Sequence, residues 1–290
     1  MSTDICKNWS EWLKKTRFSH MDELQTSQTI KWLEAVKDAV LENADIKNTD
    51  TIIDIGTGTG LLAFGALEKI GEKGKVIFSD KFEDCLVECK NLLKTLGIKG
   101  NYDFIQSGCE EINLKNESVD KALMRSVLVH ILDKQKAINE IYRILKPGGI
   151  FSAFEPVIRS NTRYYELLSE SELTDYEDFK KAESEFMSSE GDPLTNFDEN
   201  SLALNIEVAG FKDANIDVQV TESKYTVNEG AVESWFLSPP SPGTKTMKER
   251  FLLYFEEPKV KRFIDEVKIS LTNKEITVKS NVVLIKAIKS

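Results

Sequence analysis

The hydrophobic positions in the first half of the chain follow two alternating patterns. Short apolar runs rich in β-branched residues are typical of buried strands, and longer stretches with apolar residues three or four apart are typical of helices. The strand pattern covers 51–55, 75–80, 102–106, 119–126 and 150–154. The helix pattern covers 26–43, 61–70, 83–96 and 134–145. This alternation predicts an α/β domain with a parallel sheet and helices on both of its faces.

The second half of the chain interrupts this pattern twice. Segment 159–197 has no strand pattern and is dense in Asp and Glu, and segment 229–272 has apolar residues at helical spacing after the stiff S-P-P-S-P-G. We expect these two insertions to form a mainly helical cap. The remaining residues return to the earlier pattern, with a helix over 198–209 and strands over 214–226 and 276–288. The predicted organisation is an N-terminal lid segment (1–24), a core (25–158, 198–228 and 273–290) and the two cap insertions (159–197 and 229–272). The alternative for the N-terminal segment is a packed helix without the role of a lid.

The composition of the chain argues mainly against certain classes of partner, namely nucleic acid, membranes and metals. The chain has 290 residues, of which 41% are hydrophobic, and a net charge of −10. That charge disfavours unspecific binding to nucleic acid or to an anionic membrane, because both use basic patches. There is no apolar run of about 18 residues and no apolar region of a signal peptide, and the four irregularly spaced cysteines are typical of reduced thiols. We expect a cytoplasmic protein with no membrane, nucleic-acid or metal partner.

The candidate chemistry begins where the first strand ends. Residues 51–60 read T-I-I-D-I-G-T-G-T-G and lead directly into an apolar helix. The three alternate glycines, Gly56, Gly58 and Gly60, lack side chains, so the backbone can pass close to a ligand and present N–H groups at a helix N-terminus. We expect such a loop to favour an anion, either a carboxylate or a phosphate.

Two kinds of ligand are compatible with this loop. A dinucleotide-binding G-x-G-x-x-G sequence would place its third glycine at position 61, where this chain has Leu61, and Asp54 would lie beside the diphosphate. The stretch instead resembles the first motif of the class I S-adenosylmethionine-dependent methyltransferases. The resemblance implies that Asp54 lies near the amino group of the cofactor. It also implies that the methionine part is wrapped by Gly56, Thr57, Gly58 and Gly60.

The second strand ends on an acid with the spacing that such a site requires. Asp80 lies about 20 residues after Gly60, the distance that one strand–helix–strand crossover needs. A carboxylate at this position can accept two hydrogen bonds from ribose hydroxyls. Lys81 and Phe82, which follow it, would flank the adenine.

Two later segments extend the resemblance. The turn S-G-C-E-E places Cys109 where many members of the family carry an acid, so either Glu110 or backbone groups would contact the adenine. The segment I-Y-R-I-L-K-P-G-G is similar to ubiquinone/menaquinone-type and related small-molecule methyltransferases; its L-K-P-G-G at 145–149 is interpreted as the turn between helix and fifth strand. The resemblance covers about residues 50–156. It implies a Rossmann-like, seven-stranded, mostly parallel sheet with a reversed final strand, and S-adenosyl-L-methionine as the cofactor.

Few residues are candidates for catalysis or for substrate binding. Methyl transfer from a sulfonium is an in-line displacement, and a base is needed only if the nucleophile must lose a proton. The only histidines are His20, in the lid segment, and His130, after the fourth strand. Arg125 could hold a carboxylate of the substrate or the cofactor, or pair with an acid. Glu155 could bind a cationic or hydroxyl-bearing substrate, or be a turn acid.

The function that we expect is methyl transfer from S-adenosylmethionine to a small-molecule acceptor, by a monomer or a homodimer. One alternative is an RNA or protein methyltransferase, although the chain has neither a basic channel nor an N-P-P-Y-type base-flipping motif. The other is a regulator that binds the cofactor without catalysis. The acids of segment 164–199 either line a pocket, which would favour a neutral or cationic substrate, or solvate the outer face of the cap helices.

Overall fold

The computed structural model describes residues 23–239 and 244–290, which form two compact units. The first unit comprises the described residues up to Glu155, together with 199–218 and 283–290, and the second comprises 156–198 and 219–282. The described residues of the two segments predicted as cap insertions, 159–197 and 229–272, lie in the second unit. Residues 1–22 of the predicted lid segment (1–24) lie outside the described residues, and His20 is one of them.

Seven strands form one sheet in the order β3-β2-β1-β4-β5-β7-β6. The strands are β1 Thr51–Ile55, β2 Lys75–Asp80, β3 Tyr102–Gln106, β4 Val119–Arg125, β5 Leu145–Pro156, β6 Phe211–Thr226 and β7 Glu275–Lys289. Parallel pairing joins β1 to both β2 and β4, β2 to β3, and β4 to β5. The predicted seven-stranded, mostly parallel α/β fold is confirmed, and β1, β2 and β3 have the predicted bounds.

Helices alternate with these strands and also fill the second unit. Their bounds are α1 Glu23–Asn43, α2 Leu61–Lys69, α3 Glu83–Thr95, α4 Lys134–Ile144, α5 Tyr176–Met187, α6 Glu199–Val208, α7 Glu229–Leu237, α8 Met247–Phe251 and α9 Glu257–Leu271. The ends of these helices follow local sequence signals. Asp133, for example, caps α4, because its Oδ1 accepts a hydrogen bond of 2.9 Å from the backbone N–H of Lys136.

The first helix buries the stripe that its hydrophobic spacing predicts. The apolar residues three or four apart are all buried, namely Ile30, Leu33, Val36, Val40 and Leu41. Charged residues such as Lys31 and Asp38 occupy the exposed side. None of the helices given above combines the length and the apolar character that a bilayer-spanning segment requires.

The fifth strand begins earlier than predicted. L-K-P-G-G at 145–149 belongs to β5 itself, and it is not a separate turn before a strand at 150. Leu145 pairs with Val119, and Ile150 pairs with Lys121. Between these two pairs the chain advances by five residues in β5 but by only two in β4, which defines a β-bulge in β5. Pro147 has no N–H to donate to a ladder and Gly148 adopts a φ of +77°, which accounts for the bulge.

The second unit has its own hydrophobic core. Helices α5, α7 and α9 contribute most of the aromatic side chains in it, and the rings of Phe179 and Phe263 stack with centroids 3.8 Å apart. Phe236 of α7 and Phe251 of α8 pack against the same group, and both are almost completely buried. Because this core is made by residues of the second unit alone, the unit buries apolar surface without help from the strands β1–β5.

The acids of segment 164–199, all but Glu199 of which belong to the second unit, lie mostly at the surface. Glu183 alone among them is buried. Several of the others pair with bases far along the chain: Asp175 lies 3.3 Å from Lys259 and Glu172 lies 2.8 Å from Lys274. Most of these acids therefore solvate or pair on the outside of the helices, as one of the two interpretations of this segment requires.

Gly60 provides a test of the turn that begins α2. It has a φ of +85°, and a Cβ at this position would lie 2.5 Å from Cε2 of Phe64. We expect Gly60→Ala to lower the free energy of unfolding by about 2–5 kcal/mol, since a left-handed alanine costs about 1–2 kcal/mol and overpacking adds about 1–3 kcal/mol. Urea unfolding measures this difference.

Gly97→Ala is the matched control for this substitution. Gly97 also has a positive φ, +64°, but a Cβ there would meet no atom within 4 Å. We expect only the conformational cost, about 1–2 kcal/mol. Equal losses of stability in the two variants would contradict the close contact between Gly60 and the ring of Phe64.

Candidate functional site

A buried carboxylate near the end of β1 organises the turn that follows. Asp54 is 2% exposed, and its Oδ2 accepts hydrogen bonds from Thr57 Oγ1 (2.7 Å) and from the backbone N–H of Ala63 in the first turn of α2 (3.0 Å). Burial raises the pKa of Asp54 to about 6, while these two hydrogen bonds act in the opposite direction. Asp54 therefore ties the beginning of α2 to the end of β1.

Three backbone N–H groups of the glycine loop are already engaged within the protein. Thr57 N donates to Ser79 O (2.9 Å), Gly60 N donates to Thr57 O (2.7 Å), and Gly58 N donates to Asp80 Oδ2 (2.9 Å). The expectation that the loop favours an anion therefore needs correction. These amides are not available to a ligand, and the negative charge of Asp80 beside them would repel the diphosphate of a dinucleotide.

Asp80 keeps acceptor capacity beside an open position of the loop. Its Oδ1 accepts a hydrogen bond from Phe82 N (2.9 Å), so each oxygen has one recorded donor, whereas a carboxylate offers about four acceptor sites. Gly58, which donates to the other oxygen, has a φ of +51°, and a Cβ there would meet no atom within 4 Å. A ligand can therefore approach the backbone at Gly58 and the carboxylate of Asp80 together. Gly56 is closed by comparison, because a Cβ there would collide with Val127.

The residues predicted beside the adenine follow β2 and β3. Phe82 is 62% exposed, and Lys81 is also exposed. Cys109 is buried, and this burial, with the nearby charges of Glu110 and Glu155, raises the pKa of its thiol to about 12. Cys109 is therefore a neutral thiol near pH 7 and does not supply the negative charge of the acid that many family members carry at this position. Glu110, the next residue, is half-buried.

A second buried carboxylate stands near the end of β5. Glu155 is completely buried, and its two oxygens accept hydrogen bonds from the backbone N–H groups of Val127 (2.8 Å) and Val129 (3.1 Å). Burial raises the pKa of Glu155 to about 7, and these backbone hydrogen bonds oppose the shift. Glu155 thus holds the turn that follows β4, and both of its oxygens face that turn.

Arg125, at the end of β4, lies among the acids of the site. The charges of Glu155 and Asp54 favour its protonated form, although burial lowers the pKa of Arg125. Its guanidinium carbon lies 5.9 Å from the ring centroid of Trp32 in α1, which is within the range of a cation–π contact. The structure therefore brings Arg125, Asp54 and Glu155 into one electrostatic neighbourhood.

Of the two predicted catalytic histidines, the described residues include His130. His130 ends the short 3₁₀ turn Leu128–His130 after β4, and it is exposed. Partial burial and the charge of Lys134 lower the pKa of His130, so its imidazole is largely neutral near pH 7. His20 lies outside the described residues.

Sequence patterns did not predict two contacts of this site. Trp32 approaches Arg125, and Ser79 holds Thr57 through its backbone carbonyl while its hydroxyl lies 3.2 Å from that of Ser107. The sequence does contain a signal for Trp32, because this large apolar residue lies off the apolar stripe of α1. In the structure Trp32 is 48% exposed. The contact of Ser79 runs through its main chain and has no sequence signal.

Comparisons with known proteins identify the family of the chain. The family model described as a methyltransferase domain matches residues 46–224. The ubiquinone/menaquinone biosynthesis C-methyltransferase UbiE of Escherichia coli is 29% identical over 132 residues, which are 44% of this chain and 53% of that protein. The chain thus matches only about half the length of this curated relative.

Solved structures give similar matches at lower identity. The YcgJ protein from Bacillus subtilis superposes with a TM-score of 0.56 and 15% identity, covering 88% of this chain and 98% of that chain. Haemonchus contortus phosphoethanolamine N-methyltransferase 2, in complex with S-adenosyl-L-methionine, has a TM-score of 0.53 and 18% identity, covering 97% of this chain and 60% of that chain. At these identities the matches show a shared fold.

The buried Glu155 should make stability depend on pH. Its pKa is raised from 4.5 to about 7 in the folded protein, so the folded state binds more protons than the unfolded chain between these values. The stability that Glu155 contributes therefore falls as pH rises through this window. We expect the free energy of unfolding of the wild type, minus that of Glu155→Gln, to fall by about 2 kcal/mol between pH 5 and pH 8.

Urea unfolding of both proteins over this pH range measures the difference. The other buried acids with raised pKa values, Asp54 and Glu183, are present in both proteins, so their contributions cancel. A difference that does not change with pH would contradict the raised pKa of Glu155.

Proposed function

The chain belongs to the methyltransferase domain family, and on this premise we propose that it transfers the methyl group of S-adenosyl-L-methionine to a small-molecule acceptor. Family membership confirms the class predicted from residues 50–156, which is that of the S-adenosylmethionine-dependent methyltransferases. It also confirms S-adenosyl-L-methionine as the cofactor. The acceptor, the oligomeric state (monomer or homodimer) and a cytoplasmic location remain proposals.

The observation that carries the proposal is the geometry of the glycine loop between Asp54 and Asp80. A diphosphate would need free backbone amides and no carboxylate next to them. At Gly58 the amide already donates to Asp80, and the carboxylate of Asp80 therefore lies beside the loop. S-adenosylmethionine instead carries a sulfonium, an ammonium group and ribose hydroxyls, which match negatively charged acceptors. The open side of Gly58, together with the acceptor capacity that the buried carboxylate of Asp80 keeps beside it, therefore fits this cofactor.

We propose roles for the residues around the cofactor on these grounds. The carboxylate of Asp80 accepts the ribose hydroxyls, and Asp54 attracts the ammonium group of the methionine part. The exposed ring of Phe82 and the stem of Lys81 cover the adenine, with Glu110 as an acceptor for its amino group. The remaining contacts to the methionine part come from the loop residues Gly56, Thr57, Gly58 and Gly60.

When it is bound, the cofactor supplies an electrophilic methyl group, and the chain aligns a nucleophile with it. Arg125 is the candidate for holding a carboxylate of the acceptor or of the cofactor. Glu155 is proposed to act through the turn that it holds, because its oxygens bind Val127 and Val129. His130, next in that turn and largely neutral near pH 7, is the candidate for accepting a proton if the nucleophile carries one. His20 stays a second candidate.

Charge and relatives support a small-molecule acceptor. A net charge of −10 is unfavourable for binding RNA, and the relative UbiE is named for C-methylation in ubiquinone and menaquinone biosynthesis. A protein or RNA methyltransferase and a regulator that binds the cofactor without catalysis are the alternatives, but no described contact favours either of them.

Asp80→Asn tests the proposed cofactor contacts. Asparagine keeps the shape but loses the charge and one acceptor oxygen, and hydrogen bonds to charged groups contribute about 1.5–3 kcal/mol. We expect the affinity for S-adenosylhomocysteine, measured by calorimetry, to fall at least about tenfold. Asp103→Asn, which changes a surface acid of β3 that pairs with Lys75, is the matched control and should bind as the wild type does. Equal affinity of both variants, with native circular dichroism, would remove Asp80 from the site.

A labelled methyl group tests the class of acceptor. The chain is incubated with S-adenosylmethionine carrying a labelled methyl and with separated small-molecule, RNA and protein fractions of a cell extract. We expect label in the small-molecule fraction, and the Asp80→Asn variant should transfer less at limiting cofactor. Label found only in RNA or protein would support the first alternative, and cofactor binding without any transfer would support the regulator.

A further inference from the structure

The second unit contains a cavity of about 260 Å³. Residues of 158–164, 183–195, 235–238 and 245–250 line it, so all of its walls belong to this unit. Small-molecule sites typically enclose about 300–1,000 Å³, which makes this cavity suitable for a small ligand. Its apolar lining includes Tyr164, Met187, Leu194, Trp235 and Met247.

A buried carboxylate oxygen in this cavity lacks a donor. The side chain of Glu183, in α5, is 3% exposed, and its Oε1 has no hydrogen-bond partner among the described residues. Nη1 of Arg163 lies 4.0 Å away, beyond hydrogen-bond distance. A buried polar atom without a partner costs free energy, so Oε1 is poised to accept a hydrogen bond from a ligand.

The other charged side chains around the cavity either form contacts within the protein or are exposed to solvent. Arg250 forms an ion pair with Asp192, and Lys245 is exposed. The side chain of Arg163 is 11% exposed, and its Nη2 donates to the carbonyl of Arg159. Among the described lining residues, the mostly buried charged side chains that can meet a ligand are therefore one negative and one positive, Glu183 and Arg163.

We propose that this cavity binds an α-amino acid, whose ammonium group donates to Glu183 and whose carboxylate accepts from Arg163. An ammonium and a carboxylate on one carbon present opposite charges a few ångströms apart, as the two protein groups do. A zwitterion also adds no net charge to the cavity. A simple amine would meet the charge of Arg163 without a counter-charge, and a simple carboxylate would meet that of Glu183.

The apolar walls indicate the kind of side chain. Trp235 stacks on Tyr164 with centroids 5.9 Å apart and an interplanar angle of 28°, and Met187 and Met247 also line the cavity. Aromatic rings and thioethers pack favourably against apolar or aromatic groups. The ligand is therefore an amino acid with an apolar or aromatic side chain, and L-phenylalanine is a suitable probe.

The proposal goes beyond methyl transfer and does not depend on it. None of the residues that line this cavity is among those assigned to cofactor binding. The methionine part of S-adenosylmethionine is itself an α-amino acid, however, so an experiment must separate the two sites. Saturating S-adenosylhomocysteine serves this purpose if the chain binds it, and the titration with L-phenylalanine remains informative if it does not.

The experiment is a calorimetric titration of the full chain with L-phenylalanine, with and without S-adenosylhomocysteine. We expect saturable binding of one molecule in both conditions. Phenethylamine, which lacks the carboxylate, and 3-phenylpropanoate, which lacks the amine, should each bind at least about tenfold more weakly, because each loses one charge-assisted contact. Equal binding of the three compounds, or no binding of L-phenylalanine at millimolar concentration, would overturn the proposal.

Variants of α5 identify the site. Glu183→Gln should weaken L-phenylalanine at least about tenfold. Glu177→Gln, the same substitution at an exposed position of the same helix, should leave the affinity unchanged. Quenching of Trp235 fluorescence by the ligand, absent in Trp235→Phe, provides an independent signal. If Glu183→Gln does not fold, the comparison of the three compounds on the wild type decides.

The affinity should also depend on pH. Burial raises the pKa of Glu183 to about 7, while the charge of Arg163 opposes and that of Glu166 reinforces this shift. The other charged side chains that line the cavity are Arg250, which pairs with Asp192, and Lys245. The ionised fraction of Glu183, and with it the affinity, should rise about tenfold between pH 6 and pH 8. Loss of L-phenylalanine binding when S-adenosylhomocysteine is present would place the amino acid at the glycine loop and contradict the proposal.

Discussion

Hydrogen bonds from backbone N–H groups to buried carboxylates shape the candidate site. Asp54 receives Ala63 N, Asp80 receives Gly58 N and Phe82 N, and Glu155 receives Val127 N and Val129 N. Each acid stands at or near the end of a parallel strand and holds a turn that follows a strand. Because charge-assisted hydrogen bonds are short and directional, they fix loops that hydrophobic packing alone would leave less defined.

The same carboxylates set the electrostatics of the glycine loop. An acid that occupies the amide of Gly58 removes a donor from the loop and adds a negative charge beside it. Both effects disfavour a phosphate and favour a ligand with hydroxyl donors and positive charge. The glycine loop thus has the backbone permissiveness of a nucleotide-binding turn, but its electrostatics suit the cofactor of the methyltransferases.

Satisfied and unsatisfied acids distinguish the two units. Burial raises the pKa values of Asp54, Glu155 and Glu183 alike. The first two accept hydrogen bonds from the protein, whereas Oε1 of Glu183 has no donor among the described residues. A buried acid with donors is a structural support, and a buried acid without a donor at a cavity is a place for a ligand. The second unit therefore has a candidate ligand site of its own, at the cavity lined by Glu183.

Local patterns in the sequence determined the elements, the glycine loop and the family. Periodicity depends on residues close together in the chain, which is why β1–β3 and the buried stripe of α1 could be predicted from the sequence. The division into a core and cap insertions and the roles of the site residues stay predictions. The tertiary structure alone decided the contacts between distant residues: Asp80 with Gly58, Glu183 with Arg163, and Asp175 with Lys259. It also placed the bulge of β5, because a bulge is defined by the register with its neighbouring strand. Pairings of this kind depend on how elements pack, and no spacing along the chain encodes them.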